Sequence, residues 1–219
     1  SLCDKRSGGK LSLPGQPYRP GGTLPPLQGF QGDRAKDIIF GYSPGKRRFE
    51  NLGADDKNGI FICLECLKKY DTIKIAFFRE EETGCAGSSN AYMPFFNDVR
   101  FVIQPDRKGN SDLITSIGFS KLCSDEFMEA VKSEEWGYKE NNGLLTDVMV
   151  LKGNGMGVSC VNLSCGYYNA HSDREITVKK DLMKGLLFVE HIIEDCTAAI
   201  RIRAYSMTAM NARMKSMTS

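Results

Sequence analysis

Histidine is scarce in this sequence, since His171 and His191 are the only two in 219 residues. A catalytic or metal centre that needs several imidazoles is therefore difficult to build from this chain. Long apolar runs are also missing, because 59–67 and 185–189 fall well short of the roughly 20 residues of a membrane-spanning helix. With 29 basic and 27 acidic residues there is no excess positive charge. We therefore expect neither a membrane nor a nucleic acid as partner.

The composition is that of an ordinary globular chain with thiols and no secretory signal. Hydrophobic residues make up 41% and charged residues 26% of the sequence, which suits one soluble domain. Eight cysteines without a signal-peptide pattern favour a reducing compartment, so we expect a cytoplasmic protein. Cys63 and Cys66 have helical spacing and no second Cys pair, so we interpret them as core residues and not as a redox or zinc motif.

Composition divides the chain into three parts. Residues 1–32 hold five of the eight prolines and seven of the 22 glycines without helical or strand periodicity, so we assign 1–34 to an aberrant, irregular segment. The predicted catalytic domain occupies 35–196. The methionine-rich tail, 197–219, is given no function, although Ile200 and Ile202 alternate as an edge strand would.

Between these ends the sequence alternates strand and helix patterns, which is typical of an α/β layer structure. The strongest helical pattern is the apolar stripe of Leu182, Leu186 and Val189. Ser124 is the predicted N-cap of another helix. The predicted strands are 38–42, 72–78, 99–104, 148–151 and 158–165, and the predicted helices are 58–70, 124–136 and 177–196.

Polar residues collect where the predicted strands end. Asp55 precedes the first helix, Glu81 and Glu82 follow 72–78, Asp106 follows 99–104, and His171 comes shortly after 158–165. Functional sites of open α/β sheets lie at the carboxyl ends of strands. Carboxylates with an imidazole are suitable ligands for Zn²⁺ or a similar ion, and a further carboxylate would serve as a base. These residues therefore predict a metal site.

The motifs at these positions resemble a known enzyme family. The sequence reads Gly-Ala-Asp-Asp-Lys-Asn-Gly at 53–59, Glu-Glu-Thr-Gly at 81–84, Pro-Asp-Arg-Lys-Gly at 105–109 and Cys-Gly-Tyr-Tyr-Asn-Ala-His at 165–171. In this order they are similar to the co-catalytic di-zinc aminopeptidases and tripeptidases, in particular to compact, single-domain relatives of peptidase T. The resemblance covers about 36–196.

This resemblance implies a fold and a set of roles. The expected fold is a three-layer α/β/α domain with a mixed, mostly parallel central sheet, as in zinc exopeptidases. Asp55 would bridge two zinc ions, Glu82 and His171 would complete one site, and Asp106 would belong to the other. Glu81 would be the general base that activates a metal-bridging hydroxide. Because only 65 residues separate Asp106 from His171, we expect the family's inserted lid or dimerisation domain to be absent.

Several neighbouring residues remain open. Asp56 and Glu80 are either part of the site or plain surface charge. The position of His191 beside the apolar stripe favours a structural role. Thr146 and Asp147 are interpreted as a pair that supports the site or faces the substrate.

The family's other metal requires a histidine from an early His-x-Asp motif, and no histidine precedes His171. If codons 8–32 are read from their second base, they can begin with Glu-Glu-Asn-Tyr-Pro-Cys-Leu-Val-Ser-His-Ile-Asp, an apolar strand ending in the motif. In that frame, the codons of residues 17–20 can encode the His-Ile-Asp. We therefore expect that 1–32 is frameshifted, and that one of the two zinc sites is incomplete in the chain as printed.

The expected function is metal-dependent hydrolysis of a peptide or amide bond near a free terminus, impaired if the first metal site does not form. One alternative is a catalytically inactive domain that binds metal or peptide. Another is an acyl-amino-acid deacylase, since the same metals serve both reactions. The expected partner is a small peptide or an acylated amino acid, and the sequence predicts no oligomeric state.

Overall fold

The computed structural model describes residues 37–196. The proline-rich segment with its proposed change of frame, and the tail with Ile200 and Ile202, lie outside the described residues. Within the described range no helix is both long and apolar enough to cross a membrane.

Five helices and nine strands form the described part of the chain. The helices are α1 Ala54–Lys69, α2 Ala86–Ser89, α3 Asp125–Val131, α4 Asp147–Gly153 and α5 Lys179–Asp195. The strands are β1 Ile38–Ser43, β2 Arg48–Glu50, β3 Phe101–Arg107, β4 Asp112–Ile117, β5 Ser120–Lys121, β6 Lys139–Gly143, β7 Ser159–Ser164, β8 Tyr167–Tyr168 and β9 Ile176–Val178.

The central sheet has five strands in the order β3-β7-β4-β5, with β6 paired to β4. The two long ladders are parallel: β3 runs beside β7 with Phe101 opposite Ser159, and β4 runs beside β6 with Asp112 opposite Lys139. The β4–β7 and β4–β5 pairs are short and antiparallel. All six residues of β7 are buried, as expected for a strand covered on both faces. The predicted mixed, mostly parallel sheet is confirmed.

A second, antiparallel sheet in the order β2-β1-β9-β8 was not predicted. Ile38 pairs with Val178, and Tyr167 pairs with Thr177. This sheet fixes both ends of the loop that carries His171, because β8 precedes that loop and β9 follows it.

Apolar side chains fill both faces of the central sheet. One core contains Ile62 of α1 with Phe188 and Ile192 of α5. The other contains Val148 and Leu151 of α4. Helices therefore cover both faces of the sheet, which gives the predicted three layers.

Two strand predictions were wrong. Residues 148–151 belong to α4, because a short apolar run does not distinguish a strand from a buried helical turn. Segment 72–78 forms no ladder within the described residues, although its sequence is typical of a strand. Strands β4 and β6 were missed, since β6 is mostly exposed and polar.

The predicted helices are present with different ends. Helix α1 begins at Ala54, four residues earlier than predicted. The predicted helix 124–136 ends at Val131 and continues as a separate 3₁₀ turn, while Ser124 caps it by accepting a hydrogen bond from the Phe127 amide. Helix α5 begins only at Lys179, because the β-branched residues before it pair in β9.

Candidate metal centre

Six titratable side chains meet where β3, β8, α1 and the loop after segment 72–78 come together. We call them the acidic cluster: Asp55, Asp56, Glu81, Glu82, Asp106 and His171. A cavity of about 260 Å³ opens among them and touches all of them except Asp56. Five carboxyl groups and one imidazole are therefore concentrated in this part of the molecule.

His171 lies between two carboxylates of the cluster. Its Nε2 atom is 3.2 Å from Asp55 Oδ2 and 3.0 Å from Glu82 Oε1. The possible ligand atoms of the three residues all lie within 4.8 Å of one another. Asp55 is nearly buried, while His171 and Glu82 are open to solvent. One imidazole and two carboxylates at this spacing fit Zn²⁺ or a similar divalent ion.

A second group consists of carboxylates alone. Possible ligand atoms of Asp55, Asp56 and Asp106 also lie within 4.8 Å of one another, so Asp55 is common to both groups. Burial, together with the charges of Asp56 and Asp55, raises the pKa of Asp106 to about 9. Burial, followed by Asp56 and Glu82, likewise raises the pKa of Asp55. Closely spaced carboxylates with raised pKa values form a site where a cation would relieve the repulsion.

Helix α1 brings Asp55 and Asp56 to Asp106 because it packs on β3 at a glycine. A Cβ atom at Gly59 would lie 2.2 Å from the Pro105 carbonyl oxygen. No side chain other than glycine's hydrogen fits this contact. The first turn of α1 therefore lies directly beside the residue that follows Pro105.

The buried carboxylate of Glu175 holds the start of α1. Its Oε2 accepts a hydrogen bond from the Ala54 amide at 2.9 Å, and its Oε1 accepts one from the Asp55 amide at 3.2 Å. Glu175 is 1% exposed, and a carboxylate at a helix N-terminus also interacts favourably with the helix dipole. No motif marks this residue, since it lies 120 positions after the Asp55 amide that it binds.

Thr177 and Asn58 fix the same helix from its other side. The Thr177 hydroxyl donates to Asn58 Oδ1 at 2.8 Å, and the Asn58 amide donates to the Cys165 carbonyl at 2.8 Å. All three residues are buried. The backbone on which Asp55 stands is therefore tied to the end of β7.

Glu81 lines both this cavity and a larger one that lies along β3. Burial, followed by the charges of Glu82 and Asp147, raises its pKa to about 7. The Thr146 hydroxyl hydrogen-bonds to Glu81. A carboxyl group with a pKa near neutrality is suited to accept and return a proton.

An amide network positions Thr146. Gln104 Nε2 donates to Thr146 Oγ1 and to Asp106 Oδ2, each at 2.8 Å. Asn162 Nδ2 also lies 3.4 Å from Thr146 Oγ1. Because these amides occupy the acceptor side of the hydroxyl, its proton is left for Glu81. Gln104 and Asn162 were missed, since neither carries a charge that marks a site in the sequence.

The structure distinguishes between the residues whose roles the sequence left open. Asp56 contributes to the carboxylate group, whereas Glu80 is exposed and lies near Arg79. Asp147 is buried, and within the described residues its Oδ1 has no hydrogen-bond partner.

His191 lies elsewhere in the fold. Its ring is 5.0 Å from that of Trp136, and its nitrogens lie 3.0 Å from the Val131 carbonyl and 2.9 Å from Asp195. These contacts join α5 to α3. His171 is therefore the one imidazole that the described residues place in the acidic cluster.

The layered sheet and the acidic cluster at its carboxyl edge define an α/β domain with the fold of aminopeptidase catalytic domains. A solved structure of aminopeptidase PepT from Bacillus cereus superposes with a TM-score of 0.58 at 15% sequence identity, covering 73% of this chain and 74% of that one. An M18-family aminopeptidase from Thermotoga maritima gives a TM-score of 0.52 at 17% identity, covering 74% of this chain. The present chain spans about half of that protein, 47%. No protein-family model and no curated protein matches the chain.

Proposed function

We propose that this chain is a metal-dependent hydrolase that cleaves peptide bonds near a free terminus. The observation that carries the proposal is the acidic cluster, in which Asp55 belongs to both an imidazole-containing and an all-carboxylate group. The aminopeptidase fold adds support, because in this fold the cluster lies at the edge of the sheet where α/β enzymes place their sites.

The proposed roles are those that the family resemblance implies, and the positions of the side chains support them. Asp55, Glu82 and His171 would hold one zinc ion, and Asp106 with Asp55 would hold part of a second. Such ions, when bound, supply Lewis-acid polarisation of the scissile carbonyl and lower the pKa of water. Glu81 accepts a proton from the attacking water and delivers it to the leaving amine.

The test of Glu81 is the substitution Glu81→Gln, with Glu80→Gln as its matched control. Glu81→Gln removes the proton acceptor, so we expect hydrolysis of short peptides to fall by at least about 100-fold, while elemental analysis finds the metal content unchanged. Glu80→Gln removes an exposed charge one residue earlier and should leave both unchanged. Normal turnover in Glu81→Gln would show that Glu81 is not the base.

The substrate class is tested with three sets of compounds: peptides with a free amino terminus, the same peptides acetylated, and acylated single amino acids. Hydrolysis of the first set alone supports an aminopeptidase. Hydrolysis of the third set alone supports a deacylase instead.

A second candidate function follows from the composition of the all-carboxylate group. Within residues 37–196 it has no imidazole, so the chain as printed would be an inactive domain that keeps one metal. Two equivalents of zinc per chain support the hydrolase, whereas one equivalent without turnover supports the inactive form.

As part of the proposal we also place the protein among peptidase T-like enzymes of the cytoplasm, with a frameshifted segment 1–32.

A further inference from the structure

The cavity of about 260 Å³ beside the acidic cluster is lined by cations as well as by carboxylates. We call it the small cavity. Besides members of the acidic cluster, its lining includes Arg107, Lys108, Leu144 and Leu145. Its volume is slightly below that of ordinary ligand pockets, about 300–1,000 Å³, so we expect a correspondingly small ligand. Two cations therefore share one narrow space with the acidic cluster.

Asp112 fixes the guanidinium of Arg107. Arg107 Nε donates to Asp112 Oδ2 at 3.0 Å, and Asp112 Oδ1 accepts a hydrogen bond from Asn141 Nδ2 at 2.9 Å. Both side chains of the Arg107–Asp112 pair are partly buried. Because the planar guanidinium is held through Nε, the direction of its two Nη groups is set before any ligand arrives.

The turn that follows β3 and carries both cations is tied to β7 and β8. Ser164 Oγ donates to the Lys108 carbonyl at 2.7 Å and accepts a hydrogen bond from the Asp112 amide at 3.1 Å. The Gly109 amide donates to the Tyr167 carbonyl at 2.8 Å. Since β8 also leads into the loop of the acidic cluster, the same strands hold the cations and the carboxylates.

The outer donors of the two cations have no partner among residues 37–196. No hydrogen bond there involves an Nη group of Arg107, and Lys108 Nζ has neither a hydrogen bond nor an ion pair. Carboxylates line the same cavity, yet none of them pairs with these donors. A guanidinium with both Nη groups available matches the two oxygens of a carboxylate, and the ammonium beside it adds a second positive charge. These donors therefore suit a carboxylate that belongs to a ligand.

Two leucines give the small cavity an apolar part. Leu144 is 82% exposed and Leu145 is 56% exposed, although both line the cavity. Leu145 directly precedes Thr146, whose hydroxyl bonds to Glu81. Large apolar side chains in contact with water gain free energy when an apolar group covers them. We therefore expect the ligand to carry an apolar side chain as well as a carboxylate.

We infer that Arg107 and Lys108 bind the α-carboxylate of the amino acid that leaves, and that Leu144 and Leu145 contact its side chain. In a C-terminal amino acid the carboxylate is attached to the carbon next to the scissile nitrogen, so both groups fit in one small cavity. The substrate is then an amide of an apolar amino acid with a free carboxylate, as in dipeptides and acylated amino acids. This inference rests on the proposed hydrolase function and makes its substrate class more specific.

The test measures the binding of N-acetyl-L-leucine and N-acetyl-L-leucinamide, which differ only at the carboxylate, by calorimetry. The full-length chain with Glu81→Gln is used in the presence of zinc, because this substitution is expected to prevent turnover. We expect the acid to bind at least about tenfold more tightly than the amide, and Arg107→Gln to remove this preference. Arg48→Gln removes an exposed arginine that does not line the small cavity and should keep the preference. Equal binding of the two compounds, or an unchanged preference in Arg107→Gln, overturns the inference.

A second variant keeps the test decisive if Arg107→Gln does not fold. Lys108→Gln changes an exposed side chain whose Nζ has no partner among the described residues, so we expect it to fold normally. Its preference for the acid should be about threefold lower, as the loss of one exposed charge predicts. If Arg107→Gln cannot be measured, an unchanged preference in Lys108→Gln overturns the inference.

Hydrolysis by the chain with Glu81 intact separates this inference from the proposed function. We expect alanyl-leucine or N-acetyl-L-leucine to be cleaved with a KM at least about tenfold lower than that of its C-terminal amide, and Arg107→Gln to raise only the KM of the acid. Cleavage of the first acid alone supports a dipeptidase, and cleavage of the second alone supports a deacylase. Hydrolysis with equal KM for acid and amide removes the carboxylate site and leaves the hydrolase standing. A binding preference for the acid without any hydrolysis leaves the site standing and removes the proposed function.

Discussion

At the scale of single residues, the acidic cluster depends on side chains that do not belong to it. Glu175 is buried and bonds to two amides at the start of α1. No motif predicted it, because the residues it contacts lie in a distant part of the sequence. Motifs predicted most side chains of the acidic cluster but gave no indication of the groups that hold them.

Glu175→Gln should destabilise the protein by about 2 kcal/mol, since hydrogen bonds to a charged group contribute about 1.5–3 kcal/mol. It should also weaken zinc binding, because the Asp55 backbone loses its anchor. Urea denaturation and a zinc titration measure the two effects. Asp173→Asn is the control, because it removes an exposed carboxylate from the same loop. Equal stability of the two variants would show that the cap contributes nothing.

In the proposed mechanism Thr146 is a positioning residue, since it would act through Glu81. Thr146→Val removes the hydroxyl at nearly constant volume. Because one hydrogen bond contributes about 1.4 kcal/mol, we expect its loss to lower kcat about tenfold. KM should change little. Thr146→Ser keeps the hydroxyl and should restore kcat. A parallel fall in Thr146→Ser would assign the effect to packing and not to the hydrogen bond.

At the scale of helices and strands, the distance between α1 and β3 is set by Gly59. In an isolated helix Gly→Ala stabilises by about 1 kcal/mol. Here Gly59→Ala should instead destabilise by about 1–3 kcal/mol, because the Cβ would collide with the Pro105 carbonyl and force the helix away.

Thermal unfolding of Gly59→Ala measures this loss. Gly45→Ala is the control, since a Cβ there would meet nothing within 4 Å. A Gly59→Ala protein with unchanged or higher Tm would show that the helix packs less closely than described.

The sequence predicted elements well where the periodicity was long and poorly where it was short. The apolar stripe from Leu182 to Val189 correctly predicted α5. In contrast, the run at 148–151 suits a strand as well as a helical turn, and only its packing against the sheet decides between them. Segment 72–78 has the pattern of a strand, but pairing depends on a neighbour that its own sequence cannot specify.

The acidic cluster was predicted by the order of four motifs, and the structure brings all of those side chains together. The second sheet was not predicted, because β2, β8 and β9 have only two or three residues each. Such short strands have no periodicity to detect. Their positions follow from tertiary contacts alone.

At the scale of the whole molecule, seven cysteines of the described range are free, and six of them are buried. Burial raises the pKa of Cys66, Cys123 and Cys160 to about 12 in each case. An unfolded thiol titrates near 8.5. Above that pH the unfolded chain releases protons that the native chain retains, so the free energy of unfolding falls as pH rises.

We expect this loss to approach about 1.4 kcal/mol per pH unit for each such thiol. Urea denaturation under reducing conditions at pH 8, 9 and 10 measures the slope. Cys160→Ala should be less stable at every pH. Its free energy of unfolding should fall less steeply with pH, because one buried thiol no longer contributes. An identical slope would mean that Cys160 titrates alike in the native and unfolded states.

The positions of the acidic cluster along the chain have a consequence for protein synthesis. Asp55 and His171 are separated by 116 residues, so a ribosome translates the carboxylates long before the imidazole. The loop with His171 also needs β9, which follows it, to complete its sheet. If the proposed zinc site forms, its ligands Asp55, Glu82 and His171 are therefore complete only late in the translation of the described residues.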